Sequence, residues 1–353
     1  MGVDGPSAPH LERHPPITAR QAEVLRCIVR DHVQHGGSVS SAAVAAELSR
    51  SVSSATVRVE MAVLEQLGLL GQPHASAGRT PTAAGIRFYV DRLMHTRPPS
   101  PQARGDLSAA LEEAEPDALL RIASRYLASR CTLTTLGRKP RLDDGVVERL
   151  ELVSLSSERV LAVLVLADGA VRHRTLNVQC PIEMADRARA LFAERFAGWS
   201  LGRIREALRA ELAADGHGPT APLLALAARA LPAAESADDA VIVEGRTHLL
   251  DRTESGMTGL MRTLEEKRVL LQVLDGLDSA AGREAARVVL GEETGLPPLR
   301  GLALVTALFG APGQPPGMLA VIGPVRMDYA RVVPWVSFTA GALSGRLCAE
   351  GVA

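Results

Sequence analysis

Two short runs of this 353-residue chain hold the side chains best suited to chemistry. The first is Ser53-Ser54-Ala55-Thr56-Val57-Arg58-Val59, with Ala62 following one turn later. Hydroxyls at a helix N-terminus, beside free backbone N–H groups and the positive end of the dipole, hold phosphate oxygens. Arg58 is the one long cation of that stretch. A guanidinium there takes a guanine edge bidentately, a contact worth about 1–3 kcal/mol of discrimination. The second run, Ser76-Ala77-Gly78-Arg79, is small and flexible with a single cation, which suits a loop whose backbone approaches a nucleic acid. Plainer readings stand beside both: Ser53-Ser54 as a simple helix cap with Arg58 paired to a neighbouring acid, and an ordinary hairpin turn.

Other constellations carry less. His10 and His14 lie four apart, and His32 and His35 three apart, with no Cys or acid cluster of metal-site type beside them. They read as surface histidines. Gly310-Ala-Pro-Gly313-Gln-Pro-Pro-Gly317 lacks the Lys and following helix of a phosphate loop and reads as a plain loop. Arg326, Asp328 and Arg331 resemble a charged site, but Asp328 follows a Gly-Pro turn and fits an N-cap held near Arg331. Trp199 and Trp335 fit packing. No Gly-x-Ser-x-Gly elbow or dinucleotide fingerprint occurs, so the chain is expected to be no enzyme and to need no cofactor or metal.

Elements must position the first two runs. Thr18-x-x-Gln21 is a capping box, followed by Val24, Leu25, Ile28, Val29 and Val33 at helical spacing and stopped by Gly36-Gly37. A short helix with Val44 and Leu48 inward follows Ser40-Ser41. The third helix buries Val57, Met61, Leu64 and Leu67 and ends at Gly68. A short extended piece, the turn-rich stretch 74–80 and a helix from Ala83 to Met94 complete a winged-helix order. Arg97-Pro-Pro-Ser-Pro101 reads as a linker.

Beyond it a helix is expected over 106–130, then strands over 146–155, 160–166 and 171–178. Asp168-Gly169 is a hairpin signal. Ala-rich helices fill 182–231, a strand covers 241–244 and a helix 257–275. Strands return at 286–291, 301–309 and 317–323 before a closing helix over 328–347, with Pro334 inside it. The fold class is therefore α+β.

Composition narrows the rest. Net charge is −1, yet residues 17–97 hold nine arginines against six acids, a mildly basic head on an acidic body. Lys139 and Lys267 are the only lysines. Cys27, Cys131, Cys180 and Cys348 are scattered without a CxxC, which fits a reducing cytoplasm. The longest hydrophobic run, Val160–Ala167, has strand length, so no membrane partner is expected. Residues 1–16 read as a loose tail.

The run from Leu69 to Thr82, followed by Gly85-Ile-Arg87-Phe88-Tyr89-Val-Asp91, closely resembles the heat-inducible transcription repressor family HrcA. Ser53-Ser-Ala-Thr56-Val-Arg58 is similar to that family's recognition helix. Val321-Ile-Gly-Pro-Val-Arg326-Met-Asp328-Tyr-Ala-Arg331 is similar to its C-terminal signature. The chain departs from the family at Val59 and Val63, where polar Asn and Asp are usual. The resemblance implies a winged helix (17–97), a linker (98–105), a GAF-like body (106–180 with 276–353) and an inserted dimerisation region (181–275). It also implies a homodimer on an inverted-repeat DNA operator near chaperone genes, with release on heating and a chaperonin as modulator. Candidate DNA contacts are Ser53, Ser54, Thr56, Arg58, Val59, Ala62, Ser76, Gly78 and Arg79. The alternative keeps the DNA-binding head and makes the GAF-like body a small-molecule sensor.

Overall fold

The structure is a computed structural model that describes residues 14–48, 52–74, 77–214, 218–232, 240–247, 271, 274–277, 285–311 and 314–350. Helices and strands are mixed, as an α+β chain requires. The body centres on a five-stranded antiparallel sheet built from β3 (Thr134–Arg138), β7 (Val241–Glu244), β8 (Arg287–Leu290), β9 (Leu302–Phe309) and β10 (Gly317–Pro324). Their order across the sheet is β7-β3-β10-β9-β8. β9 is buried at every position, and β10 at every position but its last, because both faces of the sheet are covered. Ala303, Val305, Leu319 and Val321 face three helices, α5 (Pro101–Glu112), α6 (Pro116–Cys131) and the C-terminal α10 (Tyr329–Glu350). Leu136, Leu304, Ala320 and Ile322 pack on the other face, with Leu274.

A second unit has its own core. β4 (Val147–Ser156), β5 (Arg159–Leu166) and β6 (Val171–Asn177) form a separate antiparallel sheet, joined at Asp168-Gly169. Gly169 takes φ +84°, and Asp168 Oδ1 accepts from Ala170 N at 2.9 Å. Leu150, Leu152, Val160, Ala162 and Leu164 pack one face of this sheet against Phe192, Phe196, Leu208 and Leu224. These come from α7 (Ile182–Phe196), α8 (Leu201–Ala214) and α9 (Ala221–Ala230). The expectation that 146–178 joins the body sheet is thus corrected. The chain leaves the body sheet before β4, ahead of residue 181, because Arg138 of β3 pairs with Val241 of β7. The chain leaves and re-enters the body sheet at two adjacent, paired residues, and Lys139 N donates to Ala240 O at 3.0 Å.

Two helical expectations also change. The linker is shorter than 98–105, since Ser100 Oγ accepts from Ala103 N at 3.3 Å and Pro101 sits where a missing N–H costs nothing. The single helix over 106–130 is broken before Pro116, which disfavours helical backbone at the preceding residue. The strand at 134–138 was not anticipated. Thr-Thr-Leu-Gly-Arg lacks strong alternation, and Gly137 is there because a Cβ would stand 2.7 Å from Ser124 Oγ on α6. The helix expected over 257–275 lies mostly outside the described residues, as does most of the tail. His14 packs edge-on against Phe88 and pairs with Asp91 at 3.0 Å.

Pro334, inside α10, has a clear consequence. It has no N–H to give the Ala330 carbonyl one turn back. That carbonyl instead accepts Arg97 N at 2.7 Å, which ties the end of the N-terminal unit to the body. Asp328 stands just before α10, as expected of an N-cap, and its carbonyl accepts from Arg331 N at 3.1 Å and Val332 N at 2.9 Å. Its carboxylate pairs with Arg97, and Arg331 Nη2 donates to Arg130 O at 2.5 Å. A further tie is Arg87, whose Nε donates to Glu293 Oε1 at 2.8 Å and whose Nη2 donates to Val288 O at 2.9 Å.

Candidate nucleic-acid interface

The N-terminal unit is built around α1 (Ala19–His35), α2 (Ser41–Leu48) and α3 (Ser54–Gln66). The capping box at its start is complete: Gln21 N donates to Thr18 Oγ1 at 3.2 Å and Thr18 N to Gln21 Oε1 at 2.9 Å. The free end of the Gln21 amide donates to Glu60 Oε2 at 3.0 Å, which fixes the roll of α3 on α1. Val24, Leu25, Ile28, Val44, Val57, Met61 and Leu64 share one core. Leu67, expected in that core, is exposed at the C-terminal end of α3.

Ser53 caps α3, with its Oγ accepting from Thr56 N at 3.1 Å and lying 2.9 Å from Thr56 Oγ1. Ser54, Ala55 and Thr56 are exposed around that end. Opposite the buried Val57, Met61 and Leu64 runs a stripe at helical spacing of Ala55, Arg58, Val59 and Ala62. Arg58 is exposed and makes no ion pair among the described residues, so the plain reading of an internally paired Arg58 has no support here. Val59 is 63 % exposed, a branched apolar side chain standing in water.

β1 (Leu70–Gly71) and β2 (Thr80–Pro81) form a small hairpin, extended by a bridge from Arg79 to Val39 with N···O distances of 2.8 and 2.9 Å. Gly78 is needed here for a reason the sequence did not disclose. A Cβ on it would lie 2.2 Å from the Val39 carbonyl oxygen, so its backbone packs against the protein's own strand and not outward. Arg79 also departs from its expected role as a loose loop cation. Its Nε and Nη2 reach Glu65 Oε2 at 3.0 and 2.9 Å, pinning the hairpin to α3. Ser76 lies outside the described residues. Thr82 then caps α4 (Ala83–Phe88), accepting from Gly85 N at 3.1 Å, and one π-helical turn over 89–93 completes the unit.

Glu65 and Glu60 are the residues that sequence reasoning missed. Each works through a partner 14 or 39 positions away, beyond any local pattern. Arg79→Ala and Glu65→Gln should therefore destabilise the unit equally, by about 0.5–1 kcal/mol. The double variant should add little to either in thermal unfolding.

Burial, followed by the nearby Glu47 carboxylate, pushes the Cys27 thiol up to about 11, so it stays protonated at neutral pH. In the body, burial pushes Cys131 up to about 12. His35 pairs with Asp31, and His32 meets the Gly37 carbonyl at 2.7 Å. Among the described residues no helix is long and apolar enough to cross a membrane.

Comparison with known proteins gives a consistent result. Residues 117–333 match the model of the HrcA protein C terminal domain. The chain is 33% identical to the heat-inducible transcription repressor HrcA of Xylella fastidiosa (strain M12), covering 94% of this chain and 97% of that protein. It is 35% identical to the protein of the same name from Xanthomonas axonopodis pv. citri (strain 306), covering 96% and 98%. Among solved structures, a hypothetical protein determined at 2.2 Å aligns with TM-score 0.56 and 23% identity over 95% of this chain and 99% of that one. That likeness extends the shared fold across head and body.

Proposed function

The chain belongs to the HrcA family of heat-inducible transcription repressors, and from that premise we propose that it is a non-enzymatic, sequence-specific repressor of heat-shock genes. Residues 17–97 act as a winged helix-turn-helix. α3 enters the major groove by its N-terminal end, and the β1–β2 hairpin serves as the wing. The observation that carries the reading is the outward stripe of α3, where Arg58, which makes no ion pair among the described residues, stands beside a solvent-exposed Val59. Ser54 and Thr56 take backbone phosphates at the helix end, with Ser53 holding that end in shape. Arg58 reads a guanine edge, and Val59 with Ala62 contacts thymine methyls. Ser76, Gly78 and Arg79 belong to the wing, in which Gly78 and Arg79 set its position and its backbone tip nears the phosphates.

The five-stranded sheet with its helices is the GAF-like body, and the excursion between β3 and β7 is the dimerisation unit. The open face of β4–β5–β6 supports this assignment. Val153, Leu155 and Val171, at 49 %, 51 % and 52 % exposure, flank the half-buried Leu161, Val163 and Val165. A second copy laid on that face gives a two-fold dimer, whose heads match the two half-sites of an inverted-repeat operator. Warming releases the DNA, and a chaperonin helps the repressor regain its active form. Residence in the cytoplasm fits a DNA-bound regulator.

Arg58→Ala tests the reading head. Affinity for the operator should fall about 5- to 100-fold, with relaxed preference at one base pair of each half-site. Arg79→Ala should leave the salt dependence of binding nearly unchanged, because its charge is already spent on Glu65. If Arg58→Ala bound the operator like the parent chain, this docking of α3 would be wrong.

A further inference from the structure

A cavity of about 250 Å³ lies on the seam between the N-terminal unit and the body. One wall is α1 with the π-helical turn, and the other is the start of α10. Its apolar surface comes from Val33, Met327 and the ring of Tyr89. Three arginines, Arg26, Arg30 and Arg97, line it with the neutral polar Gln34 and Thr96 and with His95, against the single acid Asp328. Asp328 is taken by Arg97, and Arg30 pairs with Glu47 at 3.3 Å. Arg26 is half-buried, donates only its Nε to the Leu93 carbonyl at 3.3 Å, and makes no ion pair among the described residues. The Tyr89 residue is 6 % exposed, and its hydroxyl makes no hydrogen bond among the described residues. Burial, then Asp328, holds that phenol above its usual range, so it is a neutral donor at physiological pH.

A half-buried guanidinium with no carboxylate partner and a phenol whose hydroxyl has no acceptor, both among the described residues, border the same small space. Groups of that kind converging in a partly apolar cavity are how a site for a small ligand is recognised.

We propose that this seam binds a small organic anion, a carboxylate or phosphate monoester with a short apolar portion. The anionic group meets Arg26 and the Tyr89 hydroxyl, and the apolar portion rests on Val33 and Met327. The site is distinct from any pocket inside the GAF-like body, because it is built half from the head. A ligand there touches both α1 and the start of α10, and so fastens the head to the body beside the Arg97–Ala330 hydrogen bond. The site does not depend on the DNA-binding reading, since it is measured on the free protein.

Isothermal titration calorimetry at constant ionic strength tests it with three probes: phenyl phosphate, phenylacetate and neutral phenol. At least one anionic probe should bind saturably, about one per chain with Kd below ~10 mM, while phenol does not. The preferred anion distinguishes a phosphate ligand from a carboxylate one. Arg26→Gln should weaken that binding at least about tenfold, and Tyr89→Phe, which keeps the ring, a few-fold. Arg121→Gln, remote from the cavity, should change nothing. Should Arg26→Gln fail to melt cooperatively, Tyr89→Phe alone decides. Absence of saturable binding by both anions, or binding indifferent to the Arg26 and Tyr89 changes, would overturn the proposal.

Discussion

Replacing Leu161 by Glu should leave the chain folded but monomeric, and should lower affinity for a full inverted repeat by about 10²–10⁴-fold. Leu161 sits on the central strand of the open sheet, between Val153 and Thr175 on its neighbours. A carboxylate there is solvated in the monomer and loses its water only when a second copy covers the face. The linked heads of a dimer bind the second half-site as an intramolecular event, so separating them removes that advantage without touching any DNA contact. Affinity for an isolated half-site should be nearly unchanged. Sedimentation velocity and anisotropy on full and half sites check both parts. Leu296→Glu, an equally drastic change on an exposed body residue, should leave the dimer intact. A Leu161→Glu chain that stays dimeric would move the interface elsewhere.

The second large effect belongs to Gly78. An alanine Cβ would meet the Val39 oxygen at 2.2 Å, its carbon at 2.5 Å and Ser40 N at 3.0 Å. All three are backbone atoms, so no side chain can rotate away. Strand and hairpin must separate, and the paired hydrogen bonds between Val39 and Arg79 are the ones that break. A cost of about 2–4 kcal/mol follows, from overpacking plus lost bridge hydrogen bonds. Gly78→Ala should therefore lower the head's unfolding midpoint and expose the Val39 and Arg79 amides to exchange. Gly105→Ala, on the exposed side of α5 with open space around it, serves as the neutral comparison.

These cases show which parts of the molecule were legible in the sequence. The capping box of α1, the Ser53 cap of α3, the stops of both helices, the Asp168-Gly169 hairpin and the long apolar strands β9 and β10 are each encoded in a dozen residues or fewer. Local sterics and hydrogen bonding decide them. The outward stripe of α3 was legible for the same reason, since a 3.6-residue period places Arg58 and Val59 opposite Val57 and Leu64. The sheet to which β4–β6 belong was not. A strand's alternation shows that it buries one face, but not against which partner, and the decisive pairing of Arg138 with Val241 spans about a hundred residues. Gly78 and Arg79 were singled out, but their contacts with Val39 and Glu65 were not legible. A glycine and an arginine in a turn look alike whether they face a ligand or the protein's own strand. Pro334 was noted as an interruption of α10. Its effect, freeing the Ala330 carbonyl for Arg97, needed the fold.

The central claim, that the head reads a specific inverted repeat, is tested most directly by fluorescence anisotropy at one fixed salt concentration. A labelled operator of the kind expected for the family is compared with its scrambled sequence. Binding to the intact repeat should be tighter by about 10³-fold or more, the range of sequence-specific repressors. Equal, salt-sensitive binding to both would contradict it, leaving a protein held by phosphates alone.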